Sequence, residues 1–261
     1  MDVPQAQLLL APAHWQRISF LSDVHLQASE PATRAAWEAA VRGCTSDALF
    51  ILGDLFEVWV GDDSAEQTDA FEAHALAVLR HCSAQRPVYL IHGNRDFLFG
   101  HKAALRGGVQ LLPDPTVFTW GQTRTLLSHG DALCVDDLPY QAFRAQVRHS
   151  DWQQRFLAQP LPTRRDQAAA MRASSEAKKQ NTGYVDLDWP TAKRWMHEAQ
   201  ATLLIHGHTH RPAYEQDGAL ARLVLSDWDA QASPPRAEMV ELTLSKDQRA
   251  LNIERRPVPA A

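Results

Sequence analysis

The chain has 261 residues, 26 Lys+Arg against 31 Asp+Glu for a formal net charge of −5, and 45% hydrophobic and 22% charged residues. Those values exclude a disordered, collagen-like or low-complexity protein, and the length suits one large domain with room for an insertion. Cys44, Cys82 and Cys134 lack the spacing of a disulfide framework or a cysteine zinc site, no apolar run approaches the ~18–20 residues of a membrane span, and the N-terminus does not read as a signal peptide.

In chain order, short apolar runs end abruptly in polar residues at 17–23, 47–54, 87–94, 123–131 and 201–208. Each has the length and near-continuous apolarity of a strand buried on both faces. Helical patterns fill 32–42 and 66–81, the second with Phe71, Ala75, Val78 and Leu79 on one stripe. Further strands are expected at 223–227 and 239–244, and the tail from Arg255 reads as frayed. Strand and helix alternating, then mostly strand, predict helices packed on layered sheets, an α/β fold.

Residues 141–179 differ. They carry eight basic residues against three acidic ones, with Phe143, Val147, Trp152, Phe156, Leu157 and Met171 interleaved at roughly helical spacing. This is either a helical insertion with a solvated basic face or a cap that attracts an anionic, partly greasy ligand.

The chemistry sits at the ends of the five runs: Asp23-x-His25, Gly53-Asp54, Gly93-Asn94-Arg95-Asp96, His129-Gly130-Asp131 and His206-Gly207-His208. Each alone reads as turn chemistry or an ordinary histidine. Together they can converge, because ligands of open α/β sheets gather where strands end. On a continuing strand, His206 and His208 would face the same way, as a metal-binding pair does.

This order of motifs resembles the calcineurin-like metallophosphoesterase superfamily. Segments 53–63 and 93–97 are similar to the branch that hydrolyses UDP-2,3-diacylglucosamine in lipid A synthesis, and the likeness runs over about residues 17–229. It implies an α-β-β-α sandwich, with 1–139 and 191–261 as the core and 140–190 as a helical cap. It also implies two divalent ions, manganese above all: Asp23, His25, Asp54 and His208 on one, Asp54, Asn94, His129 and His206 on the other, with Asp54 bridging. A hydroxide activated by both ions then attacks the pyrophosphate, releasing UMP and 2,3-diacylglucosamine 1-phosphate.

The same resemblance implies substrate contacts from Asn94, Arg95, Asp137, Tyr140, Arg144, Ser175, Lys178, Lys179 and His206. Many superfamily members carry a histidine where Arg95 stands; arginine cannot donate a proton at neutral pH but can grip a phosphoryl oxygen. Asp96, Asp131 and His210 are expected to orient ligands, and Glu57, Trp59, Asp62 and Asp63 to shape the loop and cap helices. The expected location is the cytoplasmic face of the inner membrane, peripherally attached, with the oligomeric state undetermined. Overall acidity argues against long nucleic acid. The alternatives are another dinuclear phosphodiesterase, acting on cyclic nucleotides or phosphoproteins, and a non-catalytic lipid-binding or scaffolding protein of the same fold.

Overall fold

A computed structural model describes residues 5–67, 69–182, 186–247 and 250–259; within 174–182 it describes the backbone but not the side chains. Two six-stranded sheets form the centre. One has the order β12(Leu251–Pro257), β11(Glu238–Leu244), β2(Arg17–Leu21), β3(Ala48–Leu52), β4(Val88–Ile91), β5(Val109–Leu112). The other runs β1(Gln7–Leu10), β6(Thr116–Trp120), β7(Thr123–Leu127), β8(Leu203–His206), β10(Leu220–Val224), β9(Ala213–Asp217). β2 to β5 pair in parallel, as do β7, β8 and β10.

Period-two alternation sorts each strand between two cores. Phe50 and Leu52 of β3 point into the space between the sheets, where they meet Phe118, Leu127 and Ile205 from the opposite sheet. Phe50 stacks on Phe20 at 5.0 Å and on Tyr89 at 4.7 Å and meets Phe118 at 5.1 Å. Leu49 and Ile51 point outward onto α1(Pro31–Arg42), α2(Phe71–Ser83) and α3(His101–Gly107), whose Trp37, Leu76 and Ala104 complete that core. On the other side, Val117, Leu126 and Leu204 receive Trp195 and Met196 of α7(Trp189–Glu198). The layers are therefore helix, sheet, sheet, helix.

Three helices, α4(Leu138–Val147), α5(Ser150–Leu157) and α6(Leu161–Thr182), stand between β7 and α7. Phe156 is buried in the core under α1–α3, and Trp152, Leu161 and Met171 pack against it. No described helix is long and apolar enough to cross a membrane.

Two expectations need correction. The tail is not frayed from Arg255: residues 251–257 form β12, paired antiparallel with β11, and Arg255 donates to the carbonyls of Ala213 and Val224 and pairs with Glu238 at 2.6 Å. Leu251 and Ile253 pack against the core between the sheets while Asn252 and Glu254 are exposed, but no apolar residue continues that alternation through Arg255 and Arg256. The second helix begins at Phe71 rather than Glu66: a 3₁₀ turn over 62–65 precedes it, and Ala70 enters the helix in extended backbone, with φ −65° and ψ 141°.

Candidate metal centre

The tips of β2, β3, β4, β7 and β8 meet at one end of the two sheets, tied by backbone bonds. Asp23 N–H donates to Gly53 O at 3.1 Å, His25 N–H to Asp54 O at 3.0 Å, and Gly207 N–H to His129 O at 2.9 Å. Asp96, fully buried, accepts from Leu55 N and Gly93 N at 2.8 Å each and so locks the β3 tip to the β4 tip. Close approach explains Gly93: a Cβ there would collide with the Asp54 carboxylate and backbone.

The backbone here is unusual. Asp23, His25, Asp54, His208 and His210 all have φ between 50° and 67°. Left-handed non-glycine residues are uncommon, and such strain persists only where surroundings over-determine it. Every one of them carries a metal-binding side chain aimed at the same end of the fold.

Two groups of ligand atoms lie within 4.8 Å of one another: Asp23, His25 and His210, and Asp23, Asp54 and His129. Asp54 Oδ2 stands between them, 3.9 Å from His25 Nε2 and 3.7 Å from His129 Nε2. His210 Nε2 is 3.3 Å from His25 Nε2 and 3.5 Å from Asp23 Oδ1. Asn94 Oδ1 is 3.1 Å from His129 Nε2 and 2.9 Å from His208 Nδ1.

The last motif carries a third imidazole, His210, besides the expected pair. β8 ends at His206, and His208 and His210 in the turn that follows are both left-handed, so the turn rather than strand alternation aims these rings. His208 joins Asn94 and His129; His210 joins Asp23 and His25. His206 is buried beside Gly130, its Nδ1–H donating to Gly207 O at 2.8 Å. Its Nε2 is buried with no hydrogen-bond partner among the described residues, as a nitrogen kept for a cation would be.

Charge follows from this crowding. Burial works against a proton on His129, but the carboxylates of Asp54, Asp23 and Asp131 outweigh it and lift the pKa to about 9. Burial takes His208 down to about 3, helped by the positive charge of His129, and His206 down to about 4. Burial opposes the charged form of Asp23, yet its imidazole neighbours, His210 first, hold it well below the usual carboxylate range. His129 Nδ1–H donates to Leu52 O at 2.9 Å, which fixes the tautomer and turns Nε2 toward Asp54. Carboxylate, carboxamide and imidazole donors without thiolate, gathered with their ligand atoms facing one another, fit divalent cations of intermediate hardness.

Around this cluster the remaining expected residues take mixed places. Arg95 donates its backbone N–H to Asp54 Oδ1 at 2.8 Å, and its guanidinium lies 3.7 Å from Glu57. Tyr140 hydroxyl donates to Asp131, and its ring stacks near His208 with centroids 6.1 Å apart. Arg144 Nε pairs with Asp131 at 2.8 Å. Asp137 caps α4, accepting from Tyr140 N at 3.1 Å. Ser175, Lys178 and Lys179 fall on α6, where side chains lie outside the described residues.

Glu57 does more than shape a loop. Its carboxylate is 2.8 Å from His25 Nδ1 and 2.8 Å from Arg172 Nε on α6, besides the contact with Arg95. Asp62 accepts from Gly100 N at 2.8 Å and Ala103 N at 3.0 Å, holding the start of α3, and Asp63 pairs with Arg164. The cysteines are buried thiols, and burial pushes Cys134 up to about 12, so it stays protonated.

A family model described as calcineurin-like phosphoesterase matches residues 16–212. A protein of Chromobacterium violaceum named UDP-2,3-diacylglucosamine hydrolase is 47% identical, over 81% of this chain and 90% of its own. Proteins of the same name from Cellvibrio japonicus and Xanthomonas oryzae pv. oryzae are each 43% identical, over 81% and 87% of this chain and 91% and 97% of theirs. By the extent of that match, the chain belongs to the calcineurin-like phosphoesterase family.

Proposed function

We propose that this chain hydrolyses the pyrophosphate bond of UDP-2,3-diacylglucosamine, releasing UMP and 2,3-diacylglucosamine 1-phosphate, as a step of lipid A synthesis. The observation that carries the reading is the buried carboxylate–imidazole cluster at the strand tips, in a chain whose relatives named for this substrate span nearly its whole length.

In this reading Asp23, His25, Asp54 and His208 would hold one cation, and Asp54, Asn94, His129 and His206 the other, with the unpartnered Nε2 of His206 as the free donor. His210, 3.3 Å from His25 Nε2 and 3.5 Å from Asp23 Oδ1, supports the first set. Two divalent ions, taken here as manganese, supply charge neutralisation and a water of lowered pKa when bound. Asp54 sits where one carboxylate can serve both, and Glu57 orients His25 from behind. Asn94 and Arg95 grip the phosphoryl oxygens, Arg95 through charge-assisted bonds that lend no proton. The leaving group is a phosphate ester of low basicity, so it departs without an acid.

Helices α4–α6 form the cap. Arg148 donates to Gly93 O at 2.8 Å and lies over Phe97, which also meets Trp152, so a cationic and apolar wall faces the phosphate end. Leu138, Phe143 and Leu157 are exposed on these helices, a surface suited to an acylated substrate and to peripheral contact with the inner membrane.

Incubating the protein with UDP-2,3-diacylglucosamine, bis(p-nitrophenyl) phosphate and cyclic nucleotides, with Mn²⁺ or chelator, tests the reading. It expects UMP as the product of the preferred substrate; faster cleavage of cyclic nucleotides would contradict it.

A further inference from the structure

Beside the cluster lies a groove with a volume of about 240 Å³. It shares His25 and His210 with the metal centre, and no residue of α4–α6 lines it. One wall comes from the chain after β2 and the start of α1, the other from residues 227–236. The second wall is anchored to the centre itself, since Trp228 N–H donates to Asp23 O at 3.0 Å.

Its chemistry is that of a polar, uncharged guest with hydroxyls. Glu30, Asp227 and Asp229 face a single cation, Arg236, whose guanidinium spans Asp227 at 3.1 Å and Asp229 at 3.3 Å. Asp229 is held rigidly, accepting from Gln231 N and Ala232 N at 3.1 and 3.0 Å. Excess carboxylate repels a second phosphate but accepts hydrogen bonds from a ribose diol. Gln27 adds a carboxamide, which both donates and accepts as the imide edge of uracil does. Trp228 lines the groove as well, with an indole N–H that has no acceptor among the described residues. Acyl chains have nothing to gain here.

We propose that this groove binds the uridine half of the substrate. The inference rests on the hydrolysis proposed above and adds where the two halves lie. In-line displacement puts the attacked phosphorus over the cations with its substituents directed apart. The acylated glucosamine phosphate then takes the cationic, apolar side under α4–α6, and the nucleoside takes the groove past His25 and His210. The groove is of about nucleoside size.

The test compares UMP with inorganic phosphate as competitive inhibitors of the Mn²⁺-loaded protein, in wild type, Gln27→Ala and Arg236→Ala, with melting temperatures confirming that each variant folds. Wild type should prefer UMP over phosphate, and each variant should lose about tenfold of that preference, while inhibition by 2,3-diacylglucosamine 1-phosphate shifts less than about twofold. A preference for UMP unchanged in both folded variants overturns the groove assignment, as does its loss in Arg144→Ala instead. Wild-type protein that fails to cleave UDP-2,3-diacylglucosamine at all overturns the parent reading, and that outcome differs from either of these.

Discussion

At the strand tips, functional side chains are short and are gripped by backbone: Asp23 accepts from His208 N, Asp54 from Arg95 N, and five neighbouring residues are held in left-handed conformations. Across α4–α6 the attachment runs instead through long arginines reaching core carboxylates, Arg144 to Asp131, Arg164 to Asp63, Arg172 to Glu57 and, more loosely, Arg165 to Glu72. The first arrangement fixes atoms to within a fraction of an ångström, as a metal centre demands. The second ties the charge of the helices to carboxylates on the sheets and loops beneath them. Much of the basic character of 141–179 therefore docks the helices, and Glu57 is the point where docking and metal centre touch.

The sharpest way to break this comparison is at the histidines of the last motif. His206→Ala should weaken divalent-cation binding at least about 100-fold and remove hydrolysis, because it takes away the unpartnered Nε2, and loss of a supporting group alone costs about 10–100-fold. His210→Ala should weaken cation binding less, by about 10-fold. Isothermal titration with Mn²⁺ of both variants separates the two roles; the reverse order would put His210 on the cation and His206 off it.

A smaller effect probes the helices. Arg164 is almost wholly buried, donating to Gln159 O at 2.9 Å and to Val60 O at 2.5 Å as well as to Asp63. Arg164→Ala leaves buried carbonyls without a donor and should cost about 1–3 kcal/mol. Arg165, itself exposed, meets the largely buried Glu72 only at 3.7 Å, so Arg165→Ala should cost less than about 1 kcal/mol. Urea unfolding of the two variants measures the difference, and equal losses would deny that α6 is anchored through Arg164.

The smallest expected effect is one of pH on cation-free protein. His129, lifted to about 9 from its ordinary 6.5, stabilises the fold fully below pH 6.5 and loses that contribution as pH rises through about 9. His25 is raised as well and acts in the same direction. His206 and His208, lowered to about 4 and 3, are neutral in the fold above pH 6.5 but half-charged at that pH when unfolded, so they oppose the fall over about the first pH unit and add no slope beyond it. The melting temperature in chelator should therefore fall by roughly a few degrees between pH 6.5 and 9.5, and bound Mn²⁺, by taking the proton's place on His129, should flatten the slope.

The parts legible in the sequence were those with a local signature. The five runs that end in polar motifs are β2, β3, β4, β7 and β8, and apolarity on both faces announced them. Edge strands β1, β9 and β12 carried no such mark. Among site residues, Asp23, His25, Asp54, Asn94 and His129 are brought together as their motifs suggested. The contacts of His210 with Asp23 and His25, and of Glu57 with His25, are not spelled by the motifs, because each depends on left-handed backbone, at His208 and His210 and at Asp54, which aspartate and histidine do not announce by themselves. Fixing Asp137 as a helix cap likewise took the bond to Tyr140 N, which no spacing rule singles out from a ligand contact.

Cation stoichiometry joined to turnover tests the central claim most directly. Chelator-stripped protein dialysed against rising Mn²⁺ should take up two ions per chain, with hydrolysis of UDP-2,3-diacylglucosamine rising in step, while Asp54→Asn holds fewer than two and stays inactive. Undiminished hydrolysis by the stripped protein, or two tightly held ions and full turnover in Asp54→Asn, would contradict the account.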